Sequence, residues 1–409
     1  MGNENSHEMI NSAPDIDGVN SESRDFAKTK FVHMEDAGSF LDDEDYELPP
    51  EPYSQPASRT ASSEMDISKL SVQKDLTKMP YNGYWCVKTS VGRNHPENRT
   101  GQFTAQLNSE IVYTGFGKSE NGKLLDDIWQ LNIKNNNWTR VNTKTQIQGR
   151  FGSSAVMMGD LLVIYGGSNG RTVLDELISV NIKDGTVSFI TTKGQIPPPL
   201  AYAPIAINKK QLFLFAGNDG LFILNLENLE WRAISSYYRV RKDFPWFYYK
   251  GIIYAIPDGE EYKNKFLLID TNDEKVSLSP EWTGSFPQMK DTHSLMAVSG
   301  QYLFYFAGEK ESLVYACHLE TNWWFVFFVI PDIYTTTYAQ GKFSSDGLFK
   351  IPVLHSNSII YSQKTREIVM FLGYPFGNLT LIYYIRVGEE ALPFCNLRED
   401  MTRALFIGY

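Results

Sequence analysis

Short apolar runs recur along the chain at even intervals, and each ends on a small residue. Ile111-Val112-Tyr113-Thr114-Gly115-Phe116-Gly117 is the first, Leu162-Val163-Ile164-Tyr165-Gly166-Gly167 the second and Leu212-Phe213-Leu214-Phe215-Ala216-Gly217 the third. Their closing glycines lie 50 residues apart (167 − 117 and 217 − 167). A further run, Tyr302-Leu303-Phe304-Tyr305-Phe306-Ala307-Gly308, has the same form. Self-similarity at a period near fifty is the mark of a repeat architecture.

Each unit has more strands than the one that ends on glycine. Beyond the glycine, polar turn residues lead into Asp127-Ile128-Trp129-Gln130-Leu131, Glu176-Leu177-Ile178-Ser179-Val180 and Gly220-Leu221-Phe222-Ile223-Leu224. A second turn follows, then a strand that often opens on tryptophan, as at Trp138, Trp231 and Trp323, with Val187-Ser188-Phe189-Ile190 in the second unit. One more run precedes each glycine strand: Phe103 to Leu107, Ser153 to Met157, Tyr202 to Ile207 and His293 to Val298. Each unit therefore reads as four short β-strands separated by turn residues. A single such sheet buries too little to stand alone, whereas copies packed radially cover both faces of every sheet.

The pattern resembles the kelch repeat, in which a diglycine-like strand end is followed by an Asp-Ile-Trp-type strand and then a tryptophan. The likeness is strongest at Arg99 to Trp138 and Arg150 to Ile190, and it extends over about 81–387. It implies an all-β, six-bladed β-propeller, with anchors at Gly117, Gly167, Gly217, Pro257, Gly308 and Gly373. The last unit has strands at Ser358-Ile359-Ile360-Tyr361, Glu367 to Leu372 and Leu379 to Val387, but no tryptophan strand follows. Asn82-Gly83-Tyr84-Trp85-Cys86-Val87 resembles Asn136-Asn137-Trp138-Thr139-Arg140-Val141, yet no preceding strands accompany it. The N-terminal strand around Trp85 is thus expected to complete the last blade; closure by Ala391-Leu392-Pro393-Phe394 is the alternative. The domains expected are a tail at 1–78, a propeller at 79–387 and a C-terminal extension at 388–409 packed on it.

Charge divides the chain sharply. Residues 1–80 hold 17 Asp and Glu against 7 Lys and Arg, a balance of −10, which equals the net charge of the whole chain. The remainder holds 48 − 17 = 31 acids and 38 − 7 = 31 bases and is neutral. The acidic tail has few aromatics and no sustained period, so it is expected to be disordered. A neutral propeller lacks the basic footprint that nucleic acid requires. Three cysteines without paired spacing (Cys86, Cys317, Cys395) fit a reducing compartment, and no apolar leader or eighteen-residue apolar stretch is present, so a cytoplasmic location is expected. Trp323 to Ile330 is intensely apolar but short, and reads as one buried strand. The triplets at Asn98, Asn137 and Asn378 match the glycosylation pattern by chance on this view.

Several segments are candidates for function. Met1-Gly2-Asn3-Glu4-Asn5-Ser6 fits the myristoylation pattern at Gly2, against an unmodified start. One such chain binds membranes only marginally, and no polybasic patch or nearby cysteine assists it. Membrane contact is expected only if Gly2 is lipidated. The acidic run Phe40 to Pro50 reads as a docking motif or as a solvated charge run. Ser62 and Ser63 sit in short kinase-like contexts, Arg59-Thr60-Ala61-Ser62 and Ser63-Glu64-Met65-Asp66. Tyr237, Tyr238, Arg239, Arg241 and Lys242 open the most basic and aromatic stretch, which joins the third unit to the fourth and runs on into Trp246 to Tyr249. Arg, Tyr and Trp dominate interface energetics, so this stretch is a candidate partner site. Tyr334 and Tyr338 lie in a long insertion, about 331–356, and are candidates on the same grounds.

No catalytic or cofactor motif stands out. The histidines of the propeller region, His95, His293, His318 and His355, fall on different units without ligand spacing, and no serine elbow, phosphate loop or zinc pattern occurs. The acidic turn Asp258-Gly259-Glu260-Glu261 resembles a calcium turn only in composition. The expected function is a non-catalytic scaffold or adaptor that binds protein partners, without cofactor, metal or nucleic acid and with a regulatory acidic tail. The alternative is a propeller enzyme that acts on a small molecule or sugar through residues at the axis.

Overall fold

A computed structural model describes residues 83–92, 94–241, 244–289, 294–306, 314–327, 329–331, 354–374 and 381–387. The expected tail and C-terminal extension lie outside these residues, as do Gly308 and the alternative closing strand at 391–394.

The chain forms six antiparallel sheets set around an axis. Blade one comprises Phe103–Gln106, Ile111–Gly115, Ile128–Asn132 and Asn137–Val141, and blade two Ser154–Met158, Leu161–Tyr165, Leu177–Asn181 and Val187–Phe189. Blade three comprises Ile205–Asn208, Gln211–Phe215, Leu221–Asn225 and Glu230–Ile234, and blade four Phe247–Tyr249, Ile252–Ala255, Leu267–Asp270 and Lys275–Leu278. Blade five comprises Leu295–Ser299, Tyr302–Phe306, Val314–His318 and Trp323–Phe327. Blade six takes Ser358–Ser362, Glu367–Phe371 and Leu381–Val387 from the end of the chain and its outer strand, Gly83–Thr89, from the beginning. Pairing of Trp85 with Ile385 and Val87 with Tyr383 confirms that the Trp85 strand closes the ring.

Six apolar clusters fill the gaps between neighbouring blades, so each sheet buries both faces. That explains why the middle strands are apolar throughout rather than alternating: every described side chain of Tyr302–Phe306 and Val314–His318 is buried. His318 is among them. Burial lowers its pKa against a weaker opposing pull from Glu320, and its Nδ1 lies 2.9 Å from the Thr321 hydroxyl. Polar contacts along the innermost strands add to closure. Thr104 Oγ1 donates to Ser358 Oγ at 2.6 Å and Gln102 Nε2 to the Ser356 carbonyl at 3.0 Å, tying blade one to blade six.

A strand at the edge of a sheet leaves a row of N–H and C=O groups unpaired. In this ring the chain leaving one blade lies parallel along the outer strand of the next. Lys193–Gly194 pairs with Glu230 and Trp231 of blade three, and Thr283–Gly284 with Trp323 and Trp324 of blade five. Val329–Pro331 pairs with Gly83–Trp85 of blade six. Val91 bridges Asn137 of blade one, and Lys144 N–H donates to the Gly185 carbonyl of blade two at 2.8 Å. The apolar run from Trp323 is therefore not one strand. Trp323–Phe327 belongs to blade five and Val329–Pro331 to blade six, because the run must both finish its own sheet and cover the next.

Trp85 is 1 % exposed and packs in the gap between blades five and six. Trp85→Ala removes this anchor and is expected to cost about 3–5 kcal/mol, read as a fall in the urea midpoint relative to wild type.

Candidate partner-binding rim

The strand ends that carry the glycines meet on one face of the ring with the connectors that lead into each blade. Two blades there share one construction. Arg99 is fully buried, and its guanidinium donates to the Phe116 carbonyl at 3.2 Å and to Asp127 Oδ2 at 3.1 Å. Arg150 is 1 % exposed, donates to the Gly166 carbonyl at 3.3 Å and pairs with Glu176 at 2.7 Å. The arginine precedes the innermost strand of its blade, and its acid sits immediately before the third strand. Burial by itself would raise the pKa of Asp127. The hydrogen bond and charge of Arg99, with the Trp129 indole N–H, overcome burial and hold it below the usual carboxylate range.

The glycine turn completes the unit. Gly117 N–H donates to the Arg150 carbonyl at 2.7 Å, Gly167 N–H to Leu200 at 2.8 Å and Gly373 N–H to Arg99 at 2.9 Å, so the turns of blades one, two and six each clip the connector that leads into the next. Gly117 has φ 96° and Gly167 φ 93°, a left-handed conformation that favours glycine. Residues 67–243 match the family model of the KLHDC2/KLHL20/DRC7 Kelch-repeats domain. Residues 67–243 are thus similar to the kelch repeat, and the fold is a six-bladed β-propeller. No curated protein sequence matches it.

Blade four has the arginine of blades one and two without its acid. Bridges Phe151–Ser168, His355–Tyr374 and Val240–Pro257 are equivalent, so Arg239 occupies the place of Arg150. The position of the acid, immediately before Leu267–Asp270, is held by Phe266, which is fully buried among Phe247, Tyr254, Trp282 and Trp324. Without a carboxylate to draw it inward, Arg239 is exposed and makes no ion pair among the described residues. Its carbonyl accepts from Asp258 N–H at 2.9 Å, which places it against the acidic turn. Tyr237 stands 93 % exposed beside it. Tyr238 is half-buried, edge-on to Tyr262 with ring centres 5.5 Å apart.

Arg241 has a different environment from Arg239. It is half-buried, lies 4.0 Å from the centre of the Phe244 ring and donates to the Met289 carbonyl of the next connector. It therefore ties blade four to the following connector, while Arg239 and Tyr237 face solvent. Lys242, Tyr334 and Tyr338 lie outside the described residues. The signal that distinguishes Arg239 is legible only after alignment of the units: an arginine at the ion-pair position with phenylalanine where the acid should be.

A cleft of about 540 Å³ lies near the outer strand of blade one, lined by Asp126, Asp127, Arg140, Lys144 and Gln146, among others. Most of its charged groups already have partners: Gln146 Nε2 donates to Asp126 at 3.1 Å, Lys144 pairs with Asp184 at 3.2 Å, and Asp127 is held by Arg99. Among the described residues no three His, Cys, Asp or Glu side chains converge as a metal site. The described histidines sit apart, His318 in blade five, His355 on the connector into blade six and His95 on the connector into blade one.

Asp127→Asn leaves Arg99 buried without its counter-charge and is expected to cost about 3 kcal/mol at pH 7. Because the folded-state pKa of Asp127 is depressed, its stabilisation is complete above the unfolded value of about 3.9 and fades as pH falls through the folded value. The difference between wild type and variant in chemical denaturation should therefore narrow below about pH 4.

Proposed function

We propose that the protein is a non-catalytic interaction scaffold. Its partner docks on the glycine-turn face at the junction of blades three and four. The observation that carries this reading is Arg239, an arginine at the repeat's ion-pair position whose acid has been replaced by Phe266, next to the fully presented ring of Tyr237. Two side chains of the types that dominate interface energetics stand together where their own fold makes little use of them. The partner that fits is a protein presenting a carboxylate to Arg239 and an apolar surface to Tyr237. Burial at an interface would restore to Arg239 the counter-charge that Arg99 and Arg150 find within their blades. Kelch-repeat propellers commonly serve as interaction scaffolds, which agrees with this reading.

Affinity purification of the full-length chain, with quantitative mass spectrometry, tests the assignment. The double variant Tyr237→Ala and Arg239→Glu should lose its main protein partner by about tenfold or more, with the same melting temperature as wild type. An unchanged partner set would place binding elsewhere on the molecule.

Gly2 is proposed as a myristate acceptor and Ser62 and Ser63 as phosphorylation sites, within a tail at 1–78 that regulates the scaffold from a cytoplasmic pool. One acyl chain without a basic patch gives reversible membrane contact only. Incorporation of labelled myristate should vanish in Gly2→Ala; incorporation that survives the substitution rejects the lipid assignment.

A further inference from the structure

Blade two is covered along its perimeter only where its outer strand begins. Lys144 N–H donates to the Gly185 carbonyl at 2.8 Å, as Lys193 N–H does to Leu229 in blade three and Thr283 N–H to Asn322 in blade five, both at 3.0 Å. In blades three and five a second bond follows two residues on, from Gln195 N–H to the Trp231 carbonyl and from Ser285 N–H to Trp324, both at 2.9 Å. The Gln195 side chain then reaches one step further, and its Oε1 accepts from Ala233 N–H at 2.7 Å. Val187 and Phe189 hold the places of Trp231 and Ala233, because Val180 pairs with Val187 as Leu224 does with Trp231, and Ile178 with Phe189 as Phe222 does with Ala233. Among the described residues neither of these contacts has a counterpart in blade two.

Two nearly identical tetrapeptides lie differently on the two blades. Lys193-Gly194-Gln195-Ile196 stays on the perimeter of blade three, with Ile196 55 % exposed. Lys144-Thr145-Gln146-Ile147 leaves the perimeter of blade two: Ile147 is buried in the cluster between blades one and two, and Gln146 Nε2 donates to Asp126 at 3.1 Å. The amide that caps the edge in blade three is spent on Asp126 in blade two.

The groups left open can be named. Asn181 N–H donates to the Thr186 carbonyl and Ile190 N–H to the Leu177 carbonyl, both at 2.8 Å. Hydrogen bonding alternates along an antiparallel pair, so Ser188 faces the ladder and the N–H and C=O of Val187 and Phe189 face outward. Phe189 is 50 % exposed and lies on the same face as Val187, which packs against the cluster between blades one and two. Native edges are ordinarily blunted by a charge or a proline, yet Thr186 to Thr192 contains neither. The outer strand of blade four also lacks a paired segment among the described residues, but it opens on Lys275.

We propose that the outer strand of blade two receives an extended, uncharged segment of a partner protein, which pairs with Val187 and Phe189 and lays an apolar side chain on the Phe189 ring. Main-chain bonds supply affinity in such strand addition, and the alternate side chains supply selectivity. The open stretch is short. Lys144 closes it at Gly185, and at the other end the chain turns away to blade three, where Lys193 pairs with Glu230. One strand fits there. A second copy paired about a two-fold axis at Ser188 would bring its Thr191 against Gly185, where Lys144 already lies. The charges at both ends are matched, Lys144 with Asp184 at 3.2 Å and Lys193 with Glu230 at 3.8 Å. A charged segment therefore gains no counter-charge, which disfavours the acidic residues 1–80 of the chain itself. The edge lies on the perimeter, away from Arg239 and Tyr237, and its role is independent of partner binding at the rim.

Hydrogen–deuterium exchange of the full-length chain, read at 186–190 by mass spectrometry, tests the proposal. The probe is a capped peptide of about six alternating threonine and leucine residues. In the dilute protein alone the Val187 and Phe189 amides should exchange fast, and saturating peptide should slow them about tenfold or more. A peptide with aspartate in place of each leucine should have no effect. Val187→Pro removes no bond of the blade, since that N–H faces outward, and Phe189→Lys places a charge on the edge. Each variant should lose the protection and keep the melting temperature of wild type. Unchanged exchange with the leucine peptide, equal slowing by the aspartate peptide, or equal slowing in Phe189→Lys overturns the proposal. Slow exchange in the protein alone overturns it too, assigning the edge to the chain's own termini if independent of protein concentration and to a second copy if it appears only as concentration rises.

Discussion

The bond from a glycine turn to the connector of the next blade is the contact on which the ring depends. A four-stranded blade has two apolar faces and no means of covering either by itself. It becomes stable only when a neighbour lies against each side at a fixed angle. The turn N–H groups of Gly117, Gly167 and Gly373 set that angle by holding the following connector at hydrogen-bond distance. The buried arginines stiffen the same joint, because Arg99 and Arg150 bind the strand end and the acid of their own blade while their carbonyls accept from the turn of the blade before. A buried guanidinium is tolerated only where its donors are met, so the arginine, the acid and the strand-end carbonyl form one unit.

Covering the outer edges is a second task, handled by the same connectors. Each must leave one blade, run along the outside of the next and then turn inward to start its innermost strand. Glycine is needed in blades three and five because two backbones meet there too closely for a side chain. Blade four has neither the crossing glycine of blades three and five nor the outer-strand tryptophan of blades one, three, five and six, and its connector follows another path. Among the described residues, the exposed tyrosine, the arginine without an ion pair and an outer strand without a paired segment all lie at this one local departure. A repeat fold makes such a departure visible, since the regular units state what the position ordinarily does.

Much of the architecture was legible in the residues. The evenly spaced glycines gave the blades, and the isolated tryptophan strand at Trp85 gave the closure, because a lone strand with a blade's outer pattern has no other sheet to join. The double duty of Trp323 to Pro331 was hidden: a continuous apolar run looks the same whether it serves one sheet or two. The basic stretch was legible as composition, but composition grouped Arg239 with Arg241. One faces solvent and the other is spent on Phe244 and Met289, and only the neighbours of each side chain separate them.

Sequence alone determined the class of fold, the number of blades and the end of the chain that closes the ring, because periodic burial and turn chemistry are local properties written residue by residue. Tertiary structure decided which charges are structural and which are offered to solvent, and which strand edges are covered. Those depend on approaches between segments far apart in the chain, such as Gly194 against Trp231 or Arg99 against Asp127 and Gly373. No local pattern encodes such an approach until the blades are folded side by side.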